Sequence, residues 1–408
     1  VARSELELTR PDDVAALHAR AGEWFSSHGH VSDAVEHWLA GGRPREAADL
    51  VQANWLQFAD TGRAATVLDW LDKLGSIDAG PAARVTAAWM AAIVGDEAAL
   101  LDHLQALEGM EGLGPLPDGS HSVESSVAQI RGLFGYRGPI DMLEGARRAV
   151  ELETDSRSPH YAIAQMSLGH ALYLQDDLDG AIVPLQAAAR SGEAPGIIRV
   201  MTLSLLSFVE NDRGNLTRAR EGAELAMDVL NVQALRAAPQ ASVAFVALAQ
   251  AQAAAGKVDD ALETLELGLV SRRVSNAQAV WGPIHHLLLS ARLAAQLGHA
   301  DQARDLLAEV TQRMSRFSDG MTALWAKVDA IRHLISSQAA ERLLDEPMTE
   351  RELDVLRLLQ GSLSLHEIAS ELYLSGNTVK THAQSVYRKL GAHSRAEAVA
   401  TARRRAII

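Results

Sequence analysis

Positions 377–389 hold a set of side chains suited to pairing with the hydrogen-bonding edges of flat heterocycles and with phosphate: Asn377, Thr378, Lys380, Thr381, His382, Gln384, Arg388 and Lys389. Amides and cations of these types match the donors and acceptors that base edges present in a major groove. On a helix turning about 100° per residue, Asn377, Lys380, Thr381, Gln384 and Arg388 share one face, within about 100° of one another. Val379, Ala383, Val386, Tyr387 and Leu390 fall on a separate apolar stripe, and His382 and Lys389 flank the polar face where a phosphate backbone would run. The bland reading of the same pattern is a solvated polar face, which any amphipathic helix shows.

Local signals say what must position this face. Thr349-x-x-Glu352, Ser364-x-x-Glu367 and Ser394-x-x-Glu397 are capping boxes, each opening an apolar-periodic run. Ser375-Gly-Asn-Thr marks a fourth helix start directly after Leu372-Tyr373-Leu374. Four short helices with a tight turn before the third describe a helix-turn-helix. Small Ala369 lets two helices cross closely, while Ile368, Leu374 and Val379 fill the angle between them. Many such turns place Gly where this chain has Tyr373.

These residues resemble the LuxR-type DNA-binding domain. The likeness runs through Met348-Thr349-x-Arg351-Glu352, Glu367-Ile368-Ala369, Asn377-Thr378-Val379-Lys380-x-His382, Lys389-Leu390-Gly391 and Arg395-x-x-Ala398. It implies that Lys380, Thr381 and Gln384 face bases, with Thr378, His382 and Arg388 nearer phosphates. It further implies double-stranded promoter DNA as partner, with self-association on DNA and contact to RNA polymerase. Two departures point to modest affinity: Ser364-Leu-His-Glu367 stands where the family commonly has Ser-Asn-Lys-Glu, and Gln384 stands where a basic residue sometimes occurs.

Charge follows the same division. Residues 348–408 hold nine Lys/Arg against six Asp/Glu, so the other 347 residues carry −17 of the total of −14. From Lys380 onward seven cations face Glu397 alone, which confines nucleic acid to the C-terminal end. Arg403-Arg404-Arg405 admits two readings, a phosphate contact or cations solvating a helix C-terminus.

The remainder reads as helix over residues 14–335, rich in Ala and Leu. Gly214-Asn-Leu-Thr-Arg-Ala219, Gly256-Lys-Val-Asp-Asp-Ala261, Gly298-His-Ala-Asp-Gln-Ala303 and Gly29-His-Val-Ser-Asp-Ala34 share one pattern, and Asp176-Asp-Leu-Asp-Gly-Ala181 follows it with Asp for Gly. Successive alanines from 181 to 303 stand 38, 42 and 42 residues apart, the mark of a helical-hairpin array. Glycine permits the turn, the apolar residue is expected to tuck under it, and Ala admits a close crossing. Such hairpins resemble tetratricopeptide repeats, with a period longer than the usual figure of about 34. The Gly/Pro-rich residues 109–122 are expected to interrupt the array as a loop.

Leu17-His-x-Arg20 through Trp24-Phe25, Asp33-Ala34-Val35-x-His37-Trp38, Ala47-Ala48-Asp49-Leu50 and Leu68-x-Trp70-Leu71 resemble a helical region of the large ATP-binding LuxR-type activators. Four of the seven tryptophans lie here and are expected as knobs between hairpins. That family implies a nucleotide switch, yet no Gly-x4-Gly-Lys-Ser/Thr occurs, so no cofactor is expected. The chain opens on Val1, as expected of a piece of a longer protein or of a short relative with an unusual start.

Other chemistry finds little support. His28/His30 and His285/His286 lack ligand spacing, His366-Glu367 is followed by Ser370 where a zinc-protease motif needs His, and no Gly-x-Ser-x-Gly elbow occurs. Without cysteine the chain makes no disulfide or thiolate metal site, and it has no long apolar run and no leader at Val1. A cytoplasmic, non-enzymatic protein is expected. The expected fold is all-α: a tetratricopeptide-like helical-hairpin superhelix over 1–335, a linker at 336–347 that serves as hinge, and a four-helix LuxR-type helix-turn-helix domain over 348–408. The expected function is a bacterial transcription regulator whose array receives a small-molecule inducer or a regulatory protein. The alternative is a protein-interaction scaffold with a secondary DNA-binding module; a phosphorylated receiver is excluded, since residues 1–340 show no strand alternation.

Overall fold

The computed structural model describes residues 11–75, 80–273, 281–345, 347–405 and 407–408, and among them regular structure is helical with no strand. Sixteen helices pair as hairpins: α1 (Pro11–Ser27) with α2 (Val31–Ala40), α3 (Pro44–Asp60) with α4 (Ala64–Leu74), α5 (Gly80–Val94) with α6 (Glu97–Ala106), and α7 (Val123–Phe134) with α8 (Pro139–Leu152). The series continues with α9 (Pro159–Leu174) and α10 (Leu178–Arg190), α11 (Gly196–Asp212) and α12 (Leu216–Val232), α13 (Ser242–Ala254) and α14 (Val258–Arg273), then α15 (Trp281–Gln296) and α16 (Ala300–Met314). A long helix, α17 (Thr322–Asp345), precedes four shorter ones: α18 (Glu350–Leu359), α19 (Leu365–Glu371), α20 (Gly376–Leu390) and α21 (Arg395–Arg404). Two compact units result, one ending at Val328 and the other beginning at Asp329.

The repeated turn has one geometry. Gly29, Gly214, Gly256 and Gly298 take φ between 76° and 84°, and Asp176 takes 67°. The residue after each donates its N–H five residues back, as in His30→Phe25 at 2.9 Å, Asn215→Glu210 at 2.8 Å and His299→Ala294 at 2.8 Å, closing the first helix with a Schellman-type bond. Gly42, Gly62 and Gly95, outside the sequence pattern, make the same turn at φ 65–78°. Ala34, Ala181, Ala219, Ala261 and Ala303 are all buried, as the close-crossing argument requires. The apolar residue of the pattern is not uniformly tucked under the turn: Leu216 and Val258 are 50% and 44% exposed, while Val31, Leu178 and Ala300 are half-buried.

Packing across hairpins comes from large aromatics and absent side chains. Trp55, Trp70, Trp89 and Trp281 are fully buried, with Trp55 stacked on Trp89 at 5.2 Å. Within the first hairpin, Trp38 lies against Gly22, where a Cβ would come within 2.4 Å of its ring. Trp24 departs from the expected knob: it is 53% exposed and stacks on His28 at 4.1 Å. Residues 109–122 form the expected loop, anchored by Trp55 Nε1 donating to Asp118 at 2.9 Å and by the Glu153 carboxylate accepting the His121 N–H at 2.9 Å.

Contacts between hairpins far apart in sequence add a second level of order. The Asp60 carboxylate accepts the N–H groups of Gly196 and Ile197 at 2.9 and 2.7 Å, so the end of α3 supplies the start of α11 with the acceptor its first amides lack. Trp281 Nε1 donates to the Gly135 carbonyl at 2.8 Å, and its ring would meet any Cβ at Gly135. Both spans cover about four hairpins.

Residues 336–345, read from sequence as part of a linker, continue α17 as helix. No Gly or Pro lies between Met321 and Asp345, and Ala, Leu, Glu, Gln and Arg in this stretch are strong helix formers. Pro347 stands two positions beyond Asp345, where a proline cannot extend a helix.

Candidate nucleic-acid interface

Side-chain caps set the helices of the C-terminal unit. Thr349 Oγ1 accepts the Glu352 N–H at 3.3 Å while the Glu352 carboxylate accepts the Thr349 N–H at 2.8 Å. Ser364 and Glu367 repeat this reciprocal pair at 3.3 and 2.7 Å. The third box is offset: Ser394 Oγ accepts the Glu397 N–H at 3.2 Å, but Glu397 reaches back one residue further, to the His393 N–H at 2.9 Å. Ser375 caps α20 through the Thr378 N–H at 3.1 Å, and Gly391 at φ 63° ends it.

Two apolar clusters then fix how α20 is presented. Val355, Leu359, Ile368, Ala369, Val379 and Ala383 form one; Leu356, Val386, Leu390, Ala392, Ala398 and Ala402 form the other. Tyr387 packs against both. This is the inward stripe read from the sequence. The turn between α19 and α20 is held by the Leu374 N–H on the Ala369 carbonyl at 2.9 Å, with Leu372 and Leu374 seated on the first cluster.

The opposite face of α20 carries Asn377, Lys380, Thr381, Gln384 and Arg388, all exposed. Thr378 and His382 are half-buried at its edge. The Thr378 hydroxyl shares a 2.7 Å hydrogen bond with Ser375 Oγ, and the Thr381 hydroxyl donates to the Asn377 carbonyl at 3.0 Å. Thr381 therefore offers a methyl group and acceptor lone pairs rather than a spare donor. Apolar contact of that kind suits a thymine methyl.

Lys389 corrects the sequence reading. It is 3% exposed, and its Nζ donates to Glu352 Oε2 at 2.8 Å and to the Pro347 carbonyl at 3.1 Å. The ammonium lies under the start of α18, not at the edge of the reading face, and a phosphate cannot reach it. Glu352 completes the site by accepting from Ser385 Oγ at 2.6 Å. Burial raises the Glu352 carboxyl, but the hydrogen bonds from Lys389, Ser385 and Thr349 outweigh it and hold the group down to about 2. Nothing in the local sequence signals that a capping-box carboxylate also binds a lysine 37 residues on.

Arg395 is likewise structural. Its guanidinium donates to the carbonyls of Leu359 at 2.8 Å, Leu363 at 2.5 Å and Gly361 at 2.9 Å, which ties down the loop between α18 and α19. Arg403 donates to Gln360 Oε1 at 3.2 Å and Arg404 to Thr401 Oγ1 at 3.0 Å, so both lean on their own domain. Tyr373 occupies the turn position at φ 55° with its side chain 96% exposed. A non-glycine residue pays roughly 1–2 kcal/mol for this left-handed conformation.

Elsewhere, His285 and His286 are buried in α15, while His28 and His30 are exposed, and no group of three potential ligands gathers among the described residues. No helix among the described residues is long and apolar enough to cross a membrane.

Residues 346–402 match the model for bacterial regulatory proteins of the luxR family. The crystal structure of a Rap protein complexed with competence and sporulation factor is similar at 12% identity and a TM-score of 0.50, covering 85% of this chain and 97% of that one. Aspartyl phosphate phosphatase F from Bacillus subtilis (12% identity, 85% and 92% covered, TM-score 0.34) and a monomeric IFIT1 mutant with Gppp-AAAA (13%, 92% and 94%, 0.36) are more distant in geometry. The chain is an all-helical repeat region followed, at residues 346–402, by a luxR-family helix-turn-helix domain.

Proposed function

We propose that this protein is a bacterial transcription regulator that binds double-stranded promoter DNA by inserting α20 into the major groove. The observation that carries the reading is the exposed stripe of Asn377, Lys380, Thr381, Gln384 and Arg388, backed along its whole length by buried Val379, Ala383, Val386 and Leu390. Lys380, Thr381, Gln384 and Asn377 face bases; Arg388, with Thr378 and His382 at the edge, contacts the phosphate backbone. Lys389 is not part of the interface.

The division into an array of residues 1–335 and a reading domain of residues 348–408 belongs to the same proposal. The array receives the signal, a small molecule or a regulatory protein, on surfaces formed by stacked hairpins, which repeat arrays present for binding. The likeness in fold to the Rap protein crystallised with competence and sporulation factor supports this use of the array. RNA polymerase contact and self-association on DNA follow from the regulatory role, in the cytoplasm, without catalysis. The test is selection of DNA from a random pool by the full chain, followed by titration at several salt concentrations. A salt-dependent, sequence-selective complex that Lys380→Ala weakens supports the reading; a wild-type chain that retains no sequence from the pool overturns it.

A further inference from the structure

Tyr373 departs from the economy of the rest of the C-terminal unit. Its backbone is left-handed at φ 55°, a conformation glycine would adopt without strain, and its side chain is 96% exposed. With so little of it buried, the phenol gains almost nothing within the fold to offset that strain. The Tyr373 backbone is nevertheless held in one place, because Leu372 and Leu374 on either side are seated in the apolar cluster and the Tyr373 N–H donates to the Ser370 carbonyl at 3.3 Å. Strain that persists where the surroundings dictate it is characteristic of functional positions. The residue lies two positions before Ser375, the cap of α20, in the turn that leads into the reading helix.

We propose that Tyr373 is a DNA-positioning residue whose phenolic O–H donates to a backbone phosphate beside the groove that α20 enters. This rests on the DNA-binding reading above. Tyrosine hydroxyls are among the donors that fix a protein's register on a duplex without reading sequence. Because the phenol is neutral, its contact releases no counterion, which separates it from Arg388: losing it lowers affinity without changing the salt slope.

The experiment uses the full chain, a DNA site selected by the wild type and an unrelated duplex, with Tyr373→Gly, Tyr373→Phe and Lys380→Ala titrated side by side. Both Tyr373 variants are expected to bind about five- to tenfold more weakly on both duplexes, with the slope of log K against log salt unchanged. Tyr373→Gly should also raise the melting temperature of the C-terminal unit by about 4–8 °C, as relief of the strain requires. Wild-type affinity in either Tyr373 variant, while Lys380→Ala is weakened, overturns the phosphate contact and leaves the DNA reading intact. Wild-type affinity in all three overturns the DNA reading itself.

Discussion

Replacing Lys389 by Met separates a structural cation from a DNA-binding one. In the native unit the Nζ of Lys389 bonds to Glu352, whose side chain is 7% exposed, so the variant leaves a carboxylate buried without its counter-charge. Glu352 sits at about 2 rather than 4.5. At 1.36 kcal/mol per unit, the whole depression is worth about 3 kcal/mol, shared among Lys389, Ser385 and Thr349; removing one partner of a buried ion pair costs roughly 3–5 kcal/mol, because the other is left uncompensated. A small unit whose whole stability is on the order of 5 kcal/mol would open measurably. All seven tryptophans precede residue 348, so tryptophan fluorescence is blind to this event. Hydrogen exchange on the full chain, followed by peptides from residues 349–402, should show protection reduced about 100-fold in α18 and α20. Glu352→Gln should lose a comparable amount, since it leaves the Lys389 ammonium, 3% exposed, without its counter-charge. The sign of the pH dependence is fixed: a depressed carboxyl contributes its full stability above about 4.5 and loses it as pH falls toward 2. If Lys389→Met keeps wild-type protection and instead lowers the salt slope of DNA binding by about one, Lys389 meets phosphate and the buried pair is refuted.

Four further outcomes are expected. Lys380→Ala and Gln384→Ala should each weaken the selected DNA site by about 1–3 kcal/mol with unchanged exchange protection, and Thr381→Ala less, its hydroxyl being committed to the Asn377 carbonyl; titration of the single variants checks this. Arg388→Ala should weaken all DNA alike and reduce the salt slope by about one. Ala219→Trp or Ala261→Trp should destabilise the array by roughly 1–3 kcal/mol or more, because both alanines are buried at helix crossings; an unchanged array melt would contradict this. The array should also lose stability in acid: His170 and His285 are buried, 3.2 Å apart, and burial holds His170 down to about 4, while burial and then His170, Lys327 and Arg292 push His285 down. The unfolded chain takes protons near 6.5 that the folded one refuses, so stability, read by tryptophan fluorescence, should fall from pH 6.5 toward 4.

Sequence signals of short range transfer to the structure almost unchanged. The capping residues, the left-handed glycines and the alternation of faces on α20 depend on neighbours within four or five residues, and apart from Glu397, which reaches His393 one residue beyond its box, each has its partner where spacing requires. The angular reading of α20 placed Lys389 at the edge of the polar face, where one helix alone cannot say whether a long side chain bends toward water or toward another element. Glu352 decides it from 37 residues away. Trp24 shows the converse: its helical spacing matches that of Trp38, yet no hairpin precedes α1 among the described residues to cover it.

What no local pattern can carry is the return of one part of the array to another. Periodicity specifies that hairpin follows hairpin, but Asp60 reaching the start of α11 and Trp281 reaching Gly135 depend on the accumulated rotation of about four hairpins, to which every crossing contributes a little. The 38- and 42-residue intervals show that the repeat is not constant in length, so the rotation cannot be extrapolated from one repeat. The same contacts identify where the array is least tolerant of deformation. A side chain at Gly135 would both demand a strained φ near 60° and occupy the Trp281 ring, which places the most sensitive points of the array at its long-range contacts, alongside the repeat alanines.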